Sequence, residues 1–446
     1  MPFYIISAIY NWIIYYIPVL CYKVTMQELS RNVRAFLVGI KDEKLSREEA
    51  NSLARELESL ANTLGLEIVS QETVHVRESH AQYGIGTGKA EELAQKAASL
   101  EADCIVLDQN ISPSQQRNWE ELSGIPVIDR QELIIQIFAS RARTREAELQ
   151  VSMAELVYSL PRLRHKYIDL SRQRGGRYGT RGSGETRLEI DRRRVEQQIQ
   201  HLKEELEEVR RQREVQRKQR ERQGIPVCAL VGYTNSGKSS ILNTLTGAGV
   251  LAENKLFATL DSTSRRLELP LGTQILLVDT VGFIRRLPHS LVDAFRSTLE
   301  EVSRADLLLN VLDASDQEVS RHFETTMSVL RDLDAGDIPM ITVLNKIDLL
   351  NPEEMLFRLY PESVPVSALE GKGLTELCER IERTLERGNM RFRFPPERTD
   401  LAALVHRSGF VVSEQYGENY IEVNARVDER TAGRLKEYRI KGTLNQ

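Results

Sequence analysis

The chain has 446 residues, with 60 Lys and Arg against 65 Asp and Glu, a formal net charge of −5, 41% apolar and 28% charged residues. That length allows about two to four domains, each with its own core, and the composition is that of an ordinary soluble protein. Four widely spaced cysteines (Cys21, Cys104, Cys228, Cys378) form no CxxC pair, which argues against a zinc site or a disulfide framework and fits a reducing compartment.

Residues 3–22 contain no charged side chain, a length sufficient to span a bilayer, and Lys23, Arg31 and Arg34 follow, which would leave the bulk of the chain in the cytoplasm. No basic segment precedes the run and no small-residue cleavage site follows it, so it fits a signal peptide poorly. Asn11 and Pro18 interrupt it, and Met26 offers a second start. An extension over 1–25 that is not native is favoured over an anchor.

Strand and helix then alternate: a strand over 33–40, a helix over 46–64, a strand over 66–76, a helix over 89–100, a strand over 104–108, a helix over 113–122 and a short strand over 125–129. This pattern predicts a small α/β domain with a parallel sheet over 30–138. The segment GIGTGKAEEL (84–93) imitates a phosphate loop. It has Tyr83 in place of the first glycine and Ala90 in place of the metal-binding hydroxyl, so it reads as a Gly-rich turn that starts a helix.

In 139–223, Leu149, Met153, Leu156, Leu160 and Leu163 recur at spacings of 4 and 3, as do Val195, Ile199, Leu202, Leu206 and Val209. Two helices with such seams, joined by one loop, most simply predict an antiparallel hairpin, with packing of each helix on a neighbouring domain also open. The loop, SRQRGGRYGTRGSGETRLE (171–189), interleaves glycine, arginine and Tyr178. Glycine permits close backbone approach, arginine grips phosphate, and tyrosine offers a stacking face. RNA contact and a solvated flexible loop are both open at this point. The basic run from Arg210 to Arg222 reads as a phosphate-facing stripe or a solvated helix end.

The strongest pattern is an apolar strand, 227–231, running into Gly232-Tyr233-Thr234-Asn235-Ser236-Gly237-Lys238-Ser239-Ser240 and a helix. The glycines let backbone N–H groups turn around phosphate oxygens, Lys238 supplies charge to the β- and γ-phosphates, and Ser239 is a Mg²⁺ ligand. A second strand ends in Asp279-Thr280-Val281-Gly282: Asp279 is placed to hold Mg²⁺ through water, and the Gly282 N–H to sense the γ-phosphate. Between them FATLDSTSRR (257–266), starting Phe257-Ala258-Thr259, is the expected first switch. Thr259 is the first choice for the threonine that closes on Mg²⁺, and Thr263 the alternative. Asn345-Lys346-Ile347-Asp348 provides base choice, because a carboxylate pairs with the N1–H and 2-amino donors of guanine, which adenine lacks. Ser367-Ala368-Leu369 offers backbone N–H groups to the guanine O6. The reading is a GTP hydrolase over 224–388, with Lys238, Thr259, Gly282 and Asn235 as its catalytic set. Phe283-Ile284 stand where many GTPases carry a water-orienting glutamine, so intrinsic hydrolysis is expected to be slow. Asn235 either helps hold a K⁺ beside the phosphates or braces the loop.

These residues resemble a family. An α/β domain with YGIGTGKAEEL, a hairpin bearing GGRYGTRGSGETRLEIDRR, and then GYTNSGKSS, LFATLDST, DTVGF and NKID together look like HflX, ribosome-associated GTPases of the Obg-related group, over about Val33 to Arg387. The resemblance implies Mg²⁺, binding to the large (50S) ribosomal subunit and its rRNA, and splitting or rescue of stalled ribosomes. It places the hairpin loop toward the peptidyl-transferase region. The expectation is a cytoplasmic, monomeric factor with no DNA partner; the alternative is a membrane-tethered regulatory GTPase. The loop departs from the family pattern at Arg177-Tyr178, Ser183 and Arg187. Residues 389–446 read as a small α+β domain, with short strands around YIEVNARV and a helix near 428–438. The expected fold is thus α/β and multidomain.

Overall fold

The computed structural model describes residues 33–43, 45–173, 183–222, 225–247, 256–286, 296–350, 360–386, 390–427 and 429–440. The apolar run at 3–22 lies outside them. Among the described residues no helix is long and apolar enough to cross a membrane. The chain divides into two compact units, residues 1–140 with 151–203, and residues 141–150 with 204–446.

In the first unit a four-stranded parallel sheet has the order β2-β1-β3-β4, from β1 (Arg34–Lys41), β2 (Glu67–His75), β3 (Cys104–Leu107) and β4 (Val127–Asp129). Its helices start and stop on local chemistry. Ser46 and Glu49 form a reciprocal capping box on α1 (Arg47–Leu64), which ends on Gly65 at φ 85°. Gly86 precedes α2 (Thr87–Ser99), so the phosphate-loop look-alike is a helix start. Its Lys89 is held by Glu72 at 2.9 Å and Glu92 at 2.6 Å. Ser112 and Gln115 box α3 (Pro113–Ser123), with Pro at its first position. Phe36 and Val38 face α2 and α3 with Ile85, Leu93 and Trp119, while α1 packs against the same strand. Such alternation buries both faces of a parallel sheet.

Sequence reading gave no helix after β4. One occurs: α4 (Arg130–Arg141) follows directly, its Glu132 N–H capped by Asp129 Oδ1 at 2.8 Å. The hairpin follows, with α5 (Arg145–Gln173) and α6 (Ser183–Arg222). Leu156, Leu160 and Leu163 pack with Val195 and Ile199, the two seams expected. In the second unit Arg145 meets Glu205 at 2.5 Å and Arg213 meets Glu146 at 2.8 Å, pairings that run antiparallel. The loop expected over 171–189 is narrower: 171–173 continue α5 and α6 starts at Ser183, so its core, 174–182, lies outside the described residues.

The second unit carries a six-stranded sheet ordered β10-β9-β8-β5-β7-β6: β5 (Val227–Val231), β6 (Thr263–Glu268), β7 (Gln274–Asp279), β8 (Leu307–Asp313), β9 (Met340–Asn345) and β10 (Val364–Pro365). All pairs are parallel except β6 with β7. The order reverses between β5 and β8, and open sheets bind ligands beyond the strand C-termini at such a point. The helices described beside this sheet are α7 (Lys238–Thr246), α8 (Arg296–Ser303), α9 (Val319–Asp332) and α10 (Leu374–Glu386). One apolar cluster joins Leu230, Leu277, Leu309 and Val343 to Ile241 and Ile381; another joins Val231, Phe283, Leu308 and Leu330. Residues 390–440 form an antiparallel sheet β11-β13-β12, from β11 (Met390–Phe394), β12 (Gly409–Gly417) and β13 (Tyr420–Val427), over α11 (Thr399–Ser408). Sequence reading gave no helix at 399–408. The one expected at 428–438 is two shorter pieces, α12 (Glu429–Arg434) and a 3₁₀ turn, Lys436–Tyr438.

Candidate nucleotide-binding site

The C-terminal ends of β5, β7 and β9 deliver three loops to one place. After β5 the chain turns at Gly232, whose φ is 139° and where an added Cβ would lie 2.3 Å from the Val311 carbonyl, so only glycine fits. The loop is then stitched to the end of β7: Thr234 N donates to Phe283 O at 2.8 Å and Phe283 N to Gly232 O at 3.1 Å. Thr234, Asn235, Lys238, Phe257, Thr259 and Gly282 line one cleft. Lys238 folds back inside it, donating to the carbonyls of Gly232 at 3.1 Å and Tyr233 at 2.8 Å. Burial lowers its ammonium to about 8, against the opposing pull of Asp279. A buried cation held only by carbonyls is ready to transfer to phosphate oxygens.

Three side-chain oxygens converge beside it. Ser239 Oγ donates to Asp279 Oδ2 at 2.5 Å, Thr259 Oγ1 donates to the same oxygen at 3.0 Å, and the two hydroxyls are 2.7 Å apart. Thr263, the alternative, instead pairs in the β6 ladder opposite Asp279. The other Asp279 oxygen is buried and has no hydrogen-bond partner, and burial raises this carboxyl despite the Lys238 charge. A buried carboxylate oxygen without a partner, among hard oxygen donors, fits Mg²⁺. Gly282 closes the cradle: a Cβ there would lie 2.7 Å from Thr234 Cα and 2.9 Å from Lys238 Nζ.

On the third loop Asn345 is a brace. Its amide donates to Ser236 O at 2.9 Å and its carbonyl accepts from Ala368 N at 3.1 Å. Lys346, at φ 63°, meets Asp313 at 2.6 Å. Ser367 Oγ donates to Asp348 Oδ1 at 2.5 Å, which fixes one carboxylate oxygen. Leu369 is exposed. The Thr280 hydroxyl donates to Leu230 O at 2.6 Å, and Val281 is buried. Thr280 still contributes to the cleft lining, and Val281 does not. Ala258 and Ser240, the latter on α7, also line the cleft.

The N-terminal 51–139 match the model "GTP-binding GTPase N-terminal", 141–220 match "GTP-binding GTPase Middle Region", and 227–346 match "50S ribosome-binding GTPase". GTPase HflX of Akkermansia muciniphila is 48% identical over 86% of this chain and 92% of its own. GTPase HflX of Caldanaerobacter subterraneus subsp. tengcongensis is 43% identical over 93% of this chain and 95% of its own.

The chain belongs to the HflX family of GTPases.

As an HflX-family member it binds and hydrolyses GTP. A solved GTP-binding protein of Sulfolobus solfataricus in complex with GDP matches 79% of this chain and 99% of its own, at 24% identity and a TM-score of 0.42. Around the HflX nucleotide cleft, sequence reading missed a support. The Tyr233 ring stacks on His322 of α9 at 3.8 Å, and the Tyr233 hydroxyl accepts from Arg285 N at 3.0 Å. Nothing in the motif spacing signals His322, which approaches Tyr233 only through the packing of α9.

Proposed function

We propose that this chain is a GTP-switched factor that docks on the large ribosomal subunit and splits or rescues stalled ribosomes in the cytoplasm. The observation that carries the reading is a basic, glycine-rich insertion (174–182) between two paired helices, in the same chain as a GTP site.

In this reading the backbone of 232–239 and Lys238 hold the β- and γ-phosphates, and Asp348, preset by Ser367, takes the guanine edge. The Leu369 N–H faces O6, while the Ala368 N–H is held by Asn345. Ser239, Thr259 and Asp279 are the residues that would hold Mg²⁺, which supplies charge neutralisation on the transferred phosphoryl group when bound. Gly282 senses the γ-phosphate. Phe283 and Ile284 are both 2% exposed and apolar, so neither orients water. The charge that an arginine finger supplies in other GTPases comes here from K⁺ held by Asn235 or from the ribosome. Asn235 is exposed, at φ 62°, at the apex of the loop, which supports the K⁺ role.

The test is co-sedimentation of the full chain with purified large subunits in GDP or a non-hydrolysable GTP analogue, alongside a variant lacking 172–187 and one with Arg174, Arg177 and Arg181 changed to Glu. Analogue-dependent pelleting that both variants lose supports the proposal. Pelleting indifferent to nucleotide and to the loop contradicts it.

A further inference from the structure

Asp261 lies two residues after Thr259, on the same segment. Its carboxylate accepts from the backbone N–H of Arg143 and of Thr144, each at 3.2 Å, and from the Thr144 hydroxyl. Thr144 is the capping residue of α5: its carbonyl accepts from Glu148 N at 2.9 Å and its hydroxyl from Ala147 N at 3.2 Å. N–H groups at a helix start have no partner within the helix and carry partial positive charge, so a carboxylate there is favoured. Three donors more than a hundred positions away in the chain converge on one side chain.

The segment carrying Asp261 has little slack. Phe257 and Leu260 are each 2% exposed, and Phe257 sits at φ 53°. Thr259 points to Ser239 and Asp279 while Asp261 points to α5. One residue separates them, and consecutive Cα atoms are only ~3.8 Å apart, so neither moves far without the other.

We infer that Asp261 is a positioning residue for GTP hydrolysis: it latches the segment bearing Thr259 onto the first turn of α5. Thr259 reaches its metal-holding position with the latch closed, and loss of the γ-phosphate opens it. Because coupling is reciprocal, the γ-phosphate must also order the start of α5, the helix that leads to the Gly/Arg-rich loop. The inference rests on Thr259 as a metal-holding residue.

The test uses the full chain and four variants: Asp261→Ala, Asp261→Asn, Thr144→Ser and Thr259→Ala. Affinities for GDP and a non-hydrolysable GTP analogue are measured, with amide exchange over 143–148. Asp261→Ala should weaken the analogue about 5- to 30-fold and GDP by less than about twofold. Asp261→Asn, which keeps acceptor oxygen without charge, should fall between, and Thr144→Ser should match the parent. In the parent the analogue should slow exchange over 143–148 about tenfold relative to GDP, and in Asp261→Ala it should not. The latch is overturned if Thr259→Ala weakens the analogue while Asp261→Ala does not. Equal weakening of GDP and analogue by Asp261→Ala, or exchange indifferent to nucleotide, also overturns it. Analogue affinity untouched by Thr259→Ala removes the metal-holding reading of that threonine, and the latch falls with it.

Discussion

Asn345 and Ser236 are joined by a 2.9 Å hydrogen bond from the Asn345 side-chain amide to the Ser236 carbonyl. The same side chain accepts from Ala368 N, so one residue ties the phosphate loop to the base-reading loop. Its burial, at 2% exposed, makes both bonds costly to lose. Asn345→Ala should therefore weaken GDP and a GTP analogue together, by about 10- to 100-fold. Calorimetric titration checks this. A loss confined to the triphosphate would contradict the bracing role.

Gly282 lies against Thr234 and Lys238, with no room for a Cβ. Thr234 cannot retreat easily, because its N–H is bonded to Phe283 O. Gly282→Ala should slow GTP hydrolysis by about tenfold or more and weaken the analogue more than GDP. Single-turnover hydrolysis and paired affinities measure it.

A buried acidic cluster sits where α4 and α5 meet the end of β4. The Tyr158 hydroxyl lies between Asp129 Oδ1 at 3.1 Å and Glu132 Oε2 at 3.0 Å, sharing its hydrogen-bonding capacity between them, and Arg162 donates to Asp129 Oδ2 at 3.2 Å. The Arg162 guanidinium lies 3.5 Å from the Tyr158 ring centroid. Burial, reinforced by neighbouring Asp129, pushes the Glu132 carboxyl up to about 7. Burial raises Asp129 too. A carboxyl raised in the folded state binds its proton more tightly there than in the unfolded chain. Its contribution is complete below the ordinary carboxylate range and is lost as pH rises through about 7. Glu132→Gln should stabilise the fold at pH ~8, by on the order of 1–2 kcal/mol, and do little at pH ~5. Thermal unfolding of the full chain at the two pH values decides the sign.

The nucleotide loops were readable because each motif is local: strand, turn and helix within about a dozen residues. Sequence ranks Thr259 ahead of Thr263 without a physical separation between them; the structure sets Thr259 beside Ser239 and Asp279 and Thr263 in the β6 ladder. The helix Arg130–Arg141 was hidden because β4 runs into it without a turn, and ELIIQIF has no clear period. Asp129 and Glu132 were its one signal, an acid capping the third helical residue. The buried Arg130, paired with Asp108 at 2.7 Å and with Glu56, joins three elements that no spacing connects. The Asp261 contact with Thr144 was invisible for the same reason.

The account turns most directly on the Asp348 carboxylate, held by Ser367 and assigned here to the guanine edge. Asn at this position exchanges one acceptor for a donor, which suits the 2-oxo group of xanthine. The decisive measurement is the ratio of GTP to xanthosine triphosphate affinity in Asp348→Asn against the parent chain. The account predicts a GTP loss of about 30-fold or more with a gain for the xanthine nucleotide. GTP affinity kept within about twofold, with no gain for xanthine, would contradict it.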